Sequence, residues 1–216
     1  MELKIDLKII FLCIVYLILK QFKMYVIFLI FICLHELSHA IVGILQGFEL
    51  ESVEITPYGL SIKFYSFSEA NCRKKIITYL VGPCFNFVLA LIFLLSDLNN
   101  KIVVYCFFIN LVLGIANLLP ILPLDGGKTF RELLKIKYGY KKSYILISKI
   151  GQYTLACITV MYSLLILKLK NLGILFTLLY LWYLKFNEDK KSKTVLRMYD
   201  IIENEKSQKN IEKKCY

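Results

Sequence analysis

The chain has 216 residues, of which 58% are hydrophobic, and a formal net charge of +11. So large an apolar share excludes an ordinary soluble domain and leaves little material for a second globular unit. A charge of +11 can mark a nucleic-acid binder, but here the basic residues sit between apolar runs, a membrane-topology pattern, and no nucleic-acid partner is expected.

Six apolar stretches follow one another: 5–19, 24–45, 76–95, 102–119, 145–167 and 172–184. The first and last are short for a span. The first resembles the apolar part of a signal peptide, but no small-residue cleavage site precedes the second, so it is read as retained. The 7 cysteines form no CxxC pair, and most lie in apolar runs, where cysteine acts as a small hydrophobe. No disulfide framework or thiolate zinc site is expected. The fold class is therefore an all-α polytopic membrane protein with about six transmembrane helices.

Two segments break that pattern. Between 48 and 66, Val53 and Ile55 alternate with Glu54 and Thr56, and Leu60, Ile62 and Phe64 alternate with Ser61 and Lys63, around Pro57-Tyr58-Gly59. Period two with a turn predicts a small membrane-associated β-hairpin; an amphipathic loop is the plainer alternative. Residues 187–216 are polar and of mixed charge. They read as a short cytoplasmic tail with at most one helix near 194–205, apart from a domain over 1–186.

Orientation follows from charge. Lys4 and Lys8, then Lys63, Arg73, Lys74 and Lys75, then Lys128, Arg131, Lys135, Lys137, Lys141 and Lys142, and the basic tail fall on one side. Lys20, Lys23, Lys101, Lys168 and Lys170 fall on the other, so both termini are expected in the cytoplasm of a bacterial cell.

The second stretch carries Cys33-Leu34-His35-Glu36-Leu37-Ser38-His39-Ala40. Residues four apart share a helix face, so His35 and His39, the only 2 histidines in the chain, can aim at one metal ion. Glu36, next to the first histidine, is placed to take a proton from a water activated there. Three such groups in a lipid-compatible helix cost several kcal/mol unless they are paired or bind a metal. With the termini inside, this helix runs inward, and His39 lies about 9 Å from its end, in the cytoplasmic half of the bilayer.

Two histidines do not complete a hydrolytic zinc site, which takes three protein ligands and leaves a position open. The candidate third is Asp125 in Asn117-Leu118-Leu119-Pro120-Ile121-Leu122-Pro123-Leu124-Asp125-Gly126-Gly127. The fourth stretch also runs inward and would bring Asp125 to the same face. A helix-ending turn explains Pro, Asp and Gly equally well from spacing alone.

Taken together, HELSHA, Gly82-Pro83-Cys84-Phe85-Asn86 and NLLPILPLDGG resemble the site-2 protease family of intramembrane zinc metalloproteases, over about residues 5 to 185. Order and spacing are most similar to its sporulation-type members. The resemblance implies a site-2 protease-like fold, Zn2+ held by His35, His39 and Asp125, and Glu36 as the catalytic base. It implies substrate or oxyanion contacts for Asn86 and Asn117, which otherwise serve to hold helices together. It further implies a membrane-associated protein substrate such as a pro-sigma factor, an inhibitory membrane protein as partner, and a place in the membrane around the forespore. Clearance of signal-peptide remnants or anti-sigma factors suits the same site. Ser38 departs from the family's usual glycine, but it is also small. No nucleotide-sensing CBS pair or PDZ-like insertion is expected. A proteolytically silent membrane scaffold would need no general base, a metal transporter would need more polar groups along a path, and a protease with a cytosolic catalytic domain would need a larger soluble region.

Overall fold

The computed structural model describes residues 2–5, 17, 18, 20, 22–56, 59–96, 98–169 and 172–212. Most of the first apolar stretch and the predicted turn at Pro57-Tyr58 therefore lie outside the described residues. The chain divides into two compact units, Met1–Leu119 and Pro120–Tyr216.

The first unit holds strand β1 (Glu2–Ile5), helix α1 (Phe22–Leu45), strands β2 (Leu50–Thr56) and β3 (Gly59–Phe64), and helices α2 (Cys72–Leu94) and α3 (Lys101–Leu118). The three helices bury small and polar residues, among them Ser38 and Ala40 of α1 and Gly82, Pro83 and Asn86 of α2. Their Ile, Leu and Val side chains, such as Ile41, Leu91 and Val112, stay exposed. That inverts the soluble pattern and suits a lipid solvent, in which small residues let backbones approach. Each of the three is long and apolar enough to cross a bilayer, as is Tyr140–Ser163 in the second unit, making four such helices among the described residues. The chain is a membrane protein.

Asparagines start two of these helices. Asn71 accepts from the Arg73 N–H at 3.0 Å and Asn100 from the Ile102 N–H at 2.9 Å, satisfying donors that a helix N-terminus leaves free. Helix α3 stops at Leu118, just before Pro120.

The predicted hairpin is present as β2 and β3, antiparallel with Val53 opposite Ile62 and Glu54 opposite Ser61. The sheet has a further strand, because Glu2–Ile5 pairs parallel to β2, giving the order β1-β2-β3. Strand β2 is thus central and β3 is an outer edge. Gly43 seats β3 on α1, since a Cβ there would fall inside the Phe64 ring. Phe48, Phe64, Phe67 and Tyr79 pack ring on ring beneath, with centroids 4.9 to 5.9 Å apart. Lys74 donates to the Gln46 carbonyl at 2.9 Å, and Lys75 to that of Ser68 at 2.7 Å, tying the exit of α1 and the turn after β3 to α2.

The second unit holds α4 (Asp125–Tyr138), α5 (Tyr140–Leu169) and α6 (Leu172–Glu212). Gly139, at φ 79°, caps α4 and turns the chain straight into α5. The polar stretch expected as a tail continues the last helix to Glu212, well past 194–205. Tyr199 stacks on Tyr140 at 5.1 Å between centroids, and Asp200 pairs with Lys141.

Candidate metal centre

Helix α1 places His35 and His39 one turn apart with both rings buried. Each ring is fixed from behind through Nδ1. That of His39 donates to the Thr78 carbonyl at 2.6 Å, and a carbonyl can only accept, so the proton is on Nδ1. The Nδ1 of His35 lies 3.2 Å from Asn86 Oδ1, which likewise accepts. With Nδ1 engaged in both rings, the two Nε2 atoms face each other 3.2 Å apart. Tetrahedral zinc with Zn–N of about 2.0–2.1 Å sets neighbouring donors about 3.3–3.4 Å apart, so the pair fits the ion. A hydrogen bond to the far ring nitrogen is also the usual way a histidine ligand is oriented and made more basic.

Gly82 completes the cradle. A Cβ on it would fall onto His39 Nε2 and lie 2.6 Å from the Cε1 atoms of both rings. Helix α2 runs through Pro83, so Gly82 faces the histidines and Asn86, one turn on, reaches His35. Asn86 is fully buried, and its Nδ2 has no hydrogen-bond partner among the described residues. Ser38 sits beside the pair with its hydroxyl returned to the His35 carbonyl at 2.6 Å, so it adds no orphaned polar group.

The remaining predicted residues stand as follows. Glu36 is half-buried next to His35. Asn117 is half-buried in the last turn of α3, and no described hydrogen bond ties it to the histidines. Asp125 belongs to the second unit. It is the first residue of α4, buried, with Oδ1 3.1 Å from Lys128 Nζ. The chain is not helical between Leu119 and Leu124, so Asp125 starts a helix after an extended entry. There its carboxylate meets the positive end of the helix dipole. Gly127 lets the entry fold back on the helix, because a Cβ there would strike the Ile121 carbonyl group.

Sequence reasoning missed two contributors. The Thr78 carbonyl has no side-chain signature. Gly82 belongs to a quoted motif but had no assigned role.

An HExxH helix set in a bundle of membrane-length helices defines a class, the membrane-embedded metallopeptidase fold. The sequence profile of peptidase family M50 matches residues 23–99 and 98–161, and the chain belongs to that family, the site-2 proteases. It is 30% identical over 150 residues to a zinc metalloprotease of Methanocaldococcus jannaschii, a match over 66% of this chain and 43% of that protein. It is 24% identical over 120 residues to stage IV sporulation protein FB of Bacillus subtilis, over 54% of this chain and 42% of that protein. The chain thus spans less than half the length of these curated relatives. The solved site-2 protease of M. jannaschii superposes with a TM-score of 0.64 at 23% identity, over 87% of this chain and 90% of that one, and shares its fold.

Proposed function

We propose that the chain is a zinc-dependent intramembrane endopeptidase that hydrolyses a peptide bond in a membrane-associated protein. The observation that carries this reading is the histidine pair, locked through both Nδ1 atoms with its Nε2 atoms 3.2 Å apart. His35 and His39 would hold the ion, with Asp125, the residue that the resemblance to site-2 proteases implies as third ligand, completing the set. When bound, zinc supplies Lewis acidity, lowering the pKa of a water and polarising a carbonyl. Glu36 takes the proton of the attacking water and returns one to the leaving amine. The Asn86 amide, with Oδ1 committed to His35, has Nδ2 free to donate to the substrate carbonyl.

A substrate helix must unwind to be cut, because its amides are otherwise bonded within the helix. Strand β3 is an outer edge of the sheet, and main-chain pairing along it would hold the unwound segment. The distribution of lysine and arginine supports cytoplasmic termini and a site in the cytoplasmic half of the bilayer. A membrane-tethered pro-sigma factor is the proposed substrate, as the resemblance to sporulation-type members implies, and similarity to a sporulation protein is in keeping with that setting. The test is co-expression with candidate substrates, wild type against Glu36→Gln. Cleavage should vanish in the variant while its membrane level stays that of the wild type. Equal cleavage by both proteins would overturn the proposal.

A further inference from the structure

The second unit buries a charge cluster that the proposed chemistry does not use. Lys185 of α6 is 3% exposed. Its Nζ lies 2.6 and 2.7 Å from the two carboxylate oxygens of Asp189, and Ser148 Oγ of α5 donates to the same carboxylate at 2.8 Å. The cluster ties α6 to α5 one turn from Gly151. Gly151 is a seat with two occupants. A Cβ on it would lie 3.1 Å from Lys185 Cε, 3.2 Å from the Pro120 carbonyl oxygen and 3.5 Å from Ile121 Cα. Ile121 is 1% exposed, and its carbonyl group lies close against Gly127, two residues after Asp125. Packing is thus continuous from Lys185 through Gly151 to Ile121 and on to the helix start that carries Asp125.

We propose that Lys185 is a positioning residue for Asp125. Its ion pair pins the lysine stem over Gly151, and the stem backs the Pro120–Ile121 segment, fixing where α4 begins and where its first carboxylate points. Packed interiors pass on such displacements because they have no slack to absorb them. The idea rests on the reading of Asp125 as a metal ligand. It gives α6, beyond the HExxH and Asp125 motifs, a share in metal affinity.

The test is zinc affinity of the full chain in lipid nanodiscs, measured by competition with a chromophoric chelator, for wild type and four variants. Lys185→Ala removes stem and charge. Gly151→Val presses on the same segment and on the Lys185 stem, with both charges of the ion pair retained. Lys185→Arg keeps stem and charge, and Asp125→Ala is the reference. Limited proteolysis reports separately whether α6 stays docked.

Both Lys185→Ala and Gly151→Val should weaken zinc binding about ten-fold or more, the range typical of residues that orient metal ligands, and Lys185→Arg should recover most of it. Gly151→Val should do so with α6 still protected, which a purely structural role for the cluster would not produce. Wild-type affinity in both variants, beside a loss in Asp125→Ala, would overturn the positioning role alone. Wild-type affinity in Asp125→Ala would overturn the ligand reading on which it rests.

Discussion

Each imidazole of the pair has one nitrogen spent on a fixed acceptor, and this defines the site more sharply than the motif does. The 3.2 Å between Nε2 atoms is close to the spacing of two nitrogen donors on one tetrahedral zinc ion. Gly82 should therefore tolerate no side chain. Gly82→Ala, whose methyl falls on His39 Nε2, is expected to abolish zinc binding while leaving the protein inserted and helical, as checked by metal content and circular dichroism. Removing the Asn86 amide loses both the His35 acceptor and the free Nδ2 donor. Asn86→Ala should lower kcat/KM by about 100-fold, the scale of one lost oxyanion donor, with a smaller loss of zinc affinity from the freed His35 ring. Most of the histidine site was legible because i, i+4 spacing is a statement about geometry. The Thr78 carbonyl was not, since every residue carries one and only the crossing of α1 and α2 selects it.

At the scale of elements, period two revealed the hairpin because alternation is what a half-buried strand requires. The third strand was hidden: Glu2–Ile5 runs directly into an apolar stretch and reads as its beginning. With β1 pairing β2, the hairpin strand left at an edge of the described sheet is β3, and this sharpens the test of substrate pairing. Successive residues of a strand point their N–H groups to opposite sides, so one of Ile62→Pro and Lys63→Pro removes an outward donor and spares the ladder to β2. That variant should slow cleavage several-fold with zinc content unchanged; full turnover in both would remove the strand-pairing step from the account. Helix α6 was equally illegible beyond 184, because its polar composition says solvent. The Tyr140–Tyr199 stack and the Lys185–Asp189 pair are tertiary contacts that no local pattern announces.

For the whole molecule, the decisive features are an inverted surface and a charge asymmetry. Exposed Leu, Ile and Val on helices with polar inner faces require lipid as solvent, and composition alone made that legible. Orientation rests on Lys and Arg. Tags at either terminus should be accessible only from the cytoplasmic side of intact cells, and a periplasmic signal from either would invert the proposed depth of the site. The two stretches that supply the proposed ligands lie about ninety residues apart; segment order made Asp125 a candidate, and the resemblance favoured it over a plain helix-ending turn. The most direct measurement is zinc per chain alongside cleavage of a co-reconstituted substrate, for wild type, Glu36→Gln and Asp125→Ala. The account predicts one zinc and cleavage for the wild type, one zinc without cleavage for Glu36→Gln, and weakened zinc without cleavage for Asp125→Ala. Undiminished cleavage by a zinc-free wild type, or by either variant, would contradict it.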